Sequence, residues 1–128
     1  MKRNFARGKG SASYGVIILA FALCVLVVAP RLSSANSQTI SITVVNNSSW
    51  VIRHIYLSAP NNNNWGPDQL NETSLSPGGT VTINASCSGP EIKVISEDQD
   101  GCFLSTVVSC AGDASWTITS NATPDCGN

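Results

Sequence analysis

From Thr39 to Val45 the chain alternates, with Ile40, Ile42 and Val44 on one side and Ser41 and Thr43 on the other. That period of two is the mark of a half-buried strand. Asn46-Asn47-Ser48-Ser49 reads as a turn, and Trp50 to Ser58, rich in β-branched and aromatic residues, predicts a second strand. Strict alternation puts Val51, Ile55 and Leu57 on one face and Trp50, Ile52, His54 and Tyr56 on the other. Apolar groups on both faces predict a central strand. Thr80 to Ala85 repeats the alternation with Val81 and Ile83 inward. Glu91 to Glu97 and Cys102 to Ser109 flank Asp98-Gln99-Asp100-Gly101, whose Asp and Gly tolerate positive φ and favour a hairpin. After a second turn at Ala111-Gly112-Asp113-Ala114, Ser115 to Ser120 predicts a last strand with Trp116 and Ile118 on one face. No window of this region sustains a helical period. The pattern predicts an all-β fold, a small antiparallel β-sandwich of about six or seven strands.

Between the second and third strands lies a long polar loop. Four asparagines, Asn61 to Asn64, precede Trp65-Gly66-Pro67-Asp68, and Leu75-Ser76-Pro77-Gly78-Gly79 closes it. Asn, Gly and Pro at this density end regular structure, because they favour turns or lack a backbone donor. A tryptophan in so polar a loop gains by burial and would pin the loop to the body of the domain.

The first 35 residues have a different character. Lys2, Arg3, Arg7 and Lys9 precede an uncharged run from Tyr14 to Ala29, and Pro30 and the small residues Ser33-Ser34-Ala35 follow. A basic start, a short apolar segment and a small-residue site together predict a secretory signal helix. Cleavage after Ala35 would leave a mature domain of residues 36–128, secreted or periplasmic. The alternative is an uncleaved membrane anchor over residues 14–30, but the run is shorter than the ~20 apolar residues of a spanning helix. The membrane would then be met only through that segment.

This division changes the charge balance. Beyond residue 35 only Arg53 and Lys93 are basic, against Asp68, Glu72, Glu91, Glu97, Asp98, Asp100, Asp113 and Asp125, a formal net charge of −6. Such a domain is repelled by nucleic acid and by anionic membrane surfaces, which excludes both as partners. Four cysteines remain there, Cys87, Cys102, Cys110 and Cys126. An even number in a small exported domain predicts a disulfide framework. A four-cysteine zinc site is the rival, but no C-x-x-C pair is present.

Several of these stretches together resemble a known family. Val44-Val45-Asn46-Asn47-Ser48, Ile52, Ile55-Tyr56-Leu57-Ser58, Trp65-Gly66-Pro67-Asp68-Gln69-Leu70 and Leu75-Ser76-Pro77-Gly78-Gly79 are similar to a family of small exported bacterial domains. Its members read N-N-[ST]…I…LY-S…WG-x-D-x-L…L-x-PG and then a β-hairpin ending in cysteine, here Glu91 to Ser109 and Cys110. The resemblance implies the fold and export and carries no particular activity. The chain departs from it near Glu91-Ile92, where an aromatic-Asp pair is expected, and in the additional cysteines Cys102 and Cys126.

Candidate chemistry is sparse. His54 is the only histidine, and no G-x-S-x-G elbow accompanies it. A serine hydrolase needs a histidine base held by a carboxylate, so no catalytic residue is assigned. A small secreted hydrolase using hairpin carboxylates is the alternative in that class. Glu97, Asp98 and Asp100 gather three carboxylates around one turn, the hard-oxygen density that calcium prefers, although the twelve-residue EF-hand spacing is absent. The same residues make a good tight turn, so no metal is assigned; they remain weak calcium candidates, and a calcium-dependent adhesion module is an alternative. Trp65 with Asn63, Asn64 and Asp68 forms a candidate ligand loop, an aromatic platform with amides as carbohydrate-binding surfaces use. The expectation is therefore an exported, non-catalytic structural or binding module, without cofactor, acting on an extracellular or envelope ligand.

Strand geometry also selects a disulfide pairing among the three that four cysteines allow. A hairpin closed at Asp98–Gly101 sets Cys110 opposite Gly89, close to Cys87. A second hairpin centred on Gly112-Asp113 would set Cys102 opposite Thr123, close to Cys126. The alternatives require Cys102 to meet Cys87 or Cys110, both near the far end of the same strand, some ~26 Å away. The prediction is Cys87–Cys110 and Cys102–Cys126.

Overall fold

A computed structural model of the chain describes residues 36–127, together with Gly10. The expected signal helix, its cleavage site and the alternative anchor over residues 14–30 lie outside the described residues. Six strands follow one another: β1 (Gln38–Asn47), β2 (Ile52–Ser58), β3 (Thr80–Cys87), β4 (Glu91–Asp98), β5 (Phe103–Ser109) and β6 (Ala114–Thr119). They form two three-stranded sheets, ordered β3-β1-β6 and β2-β4-β5. The fold is an all-β sandwich, and every pairing is antiparallel except β1 with β6.

The alternation read along the chain becomes the core. Ile40, Ile42 and Val44 of β1 are buried with Ile83 and Ala85 of β3 and Ile118 of β6. Facing them are Ile52 and Ile55 of β2 and Ile92 and Val94 of β4, with Leu70 and Leu75 from the long loop. Burial of these branched side chains supplies the main driving force for a domain of this size.

Three expectations need correction. Ile52 and Ile55 were expected on opposite faces, yet both are buried in the core. The register of β2 against β4 shifts between Ile52 and His54, and such a bulge adds one residue that reverses the alternation after it. β2 is also an edge strand, and β4 is the central one. Finally, β5 and β6 do not form a hairpin. The turn after Cys110 carries the chain from one sheet to the other, where β6 runs parallel to β1, with Val44 opposite Trp116. From there Ile118 of β6 is buried in the core.

Asn46 ties the end of β1 to the long loop. It is 0% exposed, and its Nδ2 donates to the carbonyls of Trp50 and Leu75 at 2.7 and 2.9 Å. Its Oδ1 accepts from the backbone N–H and the hydroxyl of Ser48. The backbone of Asn46 bonds Gly79 and Gly78. A Cβ on Gly79 would lie 2.9 Å from both the Leu75 side chain and the Ser76 carbonyl, so the loop closes there only with glycine.

Candidate functional site

The site is built on the outer face of the β2-β4-β5 sheet. An edge strand exposes unsatisfied N–H and C=O groups, and the long loop covers those of β2. Gly66 N–H donates to the Leu57 carbonyl at 3.1 Å and Gln69 N–H to that of Ile55 at 2.8 Å, while Ile52 and Leu75 exchange two backbone bonds. Asp68 completes the seam, its Oδ1 accepting from the N–H groups of Ile55 and Leu70, both at 3.0 Å. These anchors fix the loop from the residue next to Trp65 onward.

Trp65 then lies across the sheet. Its ring centroid is 5.6 Å from Tyr56 on β2 and 5.1 Å from Phe103 on β5. A side chain that reaches both strands must cross β4 between them. Ile95 of β4, in register with Tyr56 and Ser105, is 2% exposed although it lies outside the main core cluster. The indole therefore roofs a small second cluster on the outer face. His54 extends the row, stacked on Tyr56 at 5.9 Å. Trp65 remains 37% exposed, so the expectation of an anchor and that of a platform each describe one side of the ring.

Two carboxylates border this strip. Glu97 accepts a hydrogen bond from the Tyr56 hydroxyl at 3.3 Å. Burial first, and then the negative charges of Glu97 and Asp68, hold the Tyr56 phenol above its ordinary pKa, so it remains the donor. Asp68 Oδ2 lies 2.9 Å from His54 Nδ1. Burial acts to raise the Asp68 carboxyl, but the hydrogen bonds from His54, Leu70 and Ile55 outweigh it and leave the pKa lowered. An ionised Asp68 can only accept, which places the proton on Nδ1 of His54.

A histidine held by a carboxylate supplies two of the three members of a hydrolytic triad. The third is missing among the described hydrogen bonds, since His54 bonds Asp68 and no serine or threonine hydroxyl. Two open clefts among the described residues are lined by other side chains; the larger of these two, about 380 Å3, lies at one end of the sandwich beside Pro60, Cys87 and Pro90. The pair closes the loop seam.

The remaining candidates disperse. Glu97 and Asp98 are neighbours on a strand and point to opposite faces. Asp98 is spent on its own turn, Oδ1 accepting from the N–H groups of Asp100 and Cys102. No group of three metal-ligating side chains occurs among the described residues. Asn63 and Asn64 are exposed beside Trp65, and Asn62 makes the local turn through its Oδ1 and the Asn64 N–H.

Cys87 is bonded to Cys110 and Cys102 to Cys126. The first bond follows from the hairpin, where Cys110 N–H reaches the Pro90 carbonyl. The second has another cause than a β5–β6 hairpin. The tail returns beside the start of β5, where Phe103 and Asp125 exchange two backbone bonds at 2.7 and 2.8 Å. Two disulfides mark an oxidising, extracellular or periplasmic setting. Tyr56, Phe103 and Ile95 were not singled out in the sequence. Alternation groups His54 with Tyr56, but only the register of β2 on β4 and of β4 on β5 puts them on the face of Ile95 and Phe103.

Against known proteins, no family model and no curated protein matches this chain. Among solved structures, a protein from Eubacterium rectale determined by NMR is similar, with a TM-score of 0.44 and 13% identity over 69% of this chain and 85% of that one.

Proposed function

We propose that this protein is an exported, non-catalytic binding module whose ligand face is the strip formed by Trp65, Tyr56 and Phe103. The observation that carries the reading is the position of Trp65, fixed by the loop seam on one side and open on the other. The class of ligand that suits it is a carbohydrate of the envelope or medium. A sugar ring packs its C–H face on an indole, and its hydroxyls find acceptors in Glu97 and donors in the amides of Asn63 and Asn64. The resemblance to small exported bacterial domains supports the same setting.

Titrating the protein with soluble oligosaccharides, N-acetylglucosamine oligomers and xylo-oligosaccharides first, tests the reading through tryptophan fluorescence. A saturable change that disappears in Trp65→Ala is expected. Absence of any saturable change across such a panel, or a change that survives the substitution, refutes it.

A further inference from the structure

The same sheet has a second edge, and among the described residues nothing guards most of it. In the antiparallel pair with β4, the backbone groups of alternate β5 residues point away from the ladder. Phe103 is one of them, because it bonds Asp125 of the tail. Ser105, Val107 and Ser109 share its phase, and among the described residues no backbone bond outside the β4 ladder reaches any of them. The open stretch is bounded by the disulfide-held tail at one end and by the turn after Cys110 at the other.

Edges that must stay single carry a charge, a proline, a bulge or a covering segment. The β2 edge has its loop. β5 reads Phe-Leu-Ser-Thr-Val-Val-Ser, with no charge and no proline, and its pairing with β4 is regular throughout. Val107, at the middle of the open stretch, is 46% exposed; it and Trp65 are the exposed large hydrophobic residues of the described chain.

We propose that the free edge of β5 pairs antiparallel with β5 of a second copy of this chain, about a two-fold axis at Val107, making one continuous six-stranded sheet. With Val107 opposite its counterpart, Ser105 meets Ser109 and Ser109 meets Ser105, so all three open residues find partners. Two residues further, the open side of Phe103 is already taken by Asp125, and the partner strand has ended at Ser109. The pairing fills the gap and stops. Each Val107 side chain covers the other on the outer face, and no like charges meet along the seam, as an isologous interface requires. A foreign peptide could use the same edge by strand addition, but the match of length and the self-complementary centre favour a second copy. The assembly would place two Trp65 strips on one sheet face.

Sedimentation velocity of the oxidised protein, purified after export and studied over a range of concentrations, tests this. A concentration-dependent dimer is expected, and Val107→Lys should raise its dissociation constant at least about tenfold by setting two cations against each other at the axis. Thr82→Lys, which adds the same charge at an exposed position on β3, should leave the dimer intact. Because each copy carries six net negative charges beyond residue 35, raising salt from about 0.05 to about 0.5 M should strengthen the dimer by screening repulsion. A protein that stays monomeric at about 1 mM overturns the proposal. So does a dimer that Val107→Lys leaves unchanged, or a monomer whose β5 edge pairs only with an added peptide.

Discussion

Replacing Asn46 with alanine removes one amide that holds three segments together. Four hydrogen bonds disappear: those to the Trp50 and Leu75 carbonyls and those from the Ser48 N–H and hydroxyl. They are not equal losses. The Leu75 carbonyl keeps the Ile52 N–H at 3.0 Å, and the Ser48 hydroxyl keeps its bond from the Trp50 N–H. The buried Ser48 N–H and the half-buried Trp50 carbonyl are left without those partners. At about 1–3 kcal/mol for each buried group left unsatisfied, and with a small void added, the substitution should cost about 3–5 kcal/mol. That is a large share of the ~5–15 kcal/mol that holds a domain together. Urea unfolding of the oxidised protein, followed by tryptophan fluorescence, reads it as a lowered midpoint at unchanged slope. Asn46→Asp separates the two halves of the amide. It keeps an acceptor for Ser48 but turns a carboxylate oxygen towards two carbonyls, so it should be at least as harmful at neutral pH. Asn47→Ala, at the exposed neighbour, should stay within about 0.5 kcal/mol. A cost below about 1 kcal/mol for Asn46→Ala would refute the idea that this amide closes the loop.

Other outcomes follow from the same structure. Trp65→Ala should cost about 2 kcal/mol, less than a fully buried tryptophan, because one side of the ring packs on Tyr56 and Phe103 while the other faces water. Asp68 has a lowered pKa in the folded state, so its contribution is complete above its unfolded value near 4. That contribution should fade as pH falls through the lower folded value, and Asp68→Asn should flatten this part of the acid-unfolding profile. Glu72 is exposed at φ 67°, next to Asn71 at φ 48°. Glu72→Gly should therefore raise stability by roughly 0.5–1 kcal/mol in thermal or urea unfolding, the left-handed strain relieved exceeding the added chain entropy. The paired change Cys102→Ser with Cys126→Ser opens a loop of sequence separation 24 and should cost about 3 kcal/mol, with faster amide exchange at Phe103 and Asp125 as the tail comes free.

Local chemistry made much of this protein legible. Alternation located β1, β3 and β6, because a strand half-buried in a sandwich must be apolar on every second residue, while β-branched content and turn signals located β2, β4 and β5. The Asp98–Gly101 turn announced its hairpin, since Gly101 sits at φ 78°, a region closed to most side chains. That hairpin in turn brought Cys110 to Cys87. Other features depended on segments remote in the chain. Turn residues after Cys110 say that the chain reverses, but whether β6 then pairs with β5 or crosses to β1 depends on the edge that β1, remote in sequence, offers it. The bulge at Arg53 leaves no mark in composition, yet it moved Ile52 to the face of Ile55. The polar loop looked like a connection until its N–H groups met the edge of β2, and Asn46 looked like one more turn residue until Leu75 and Gly79 closed over it. Sequence determined which residues could be inside; only the tertiary structure decided which edges were left open, because an edge is free or covered according to what the rest of the chain places beside it.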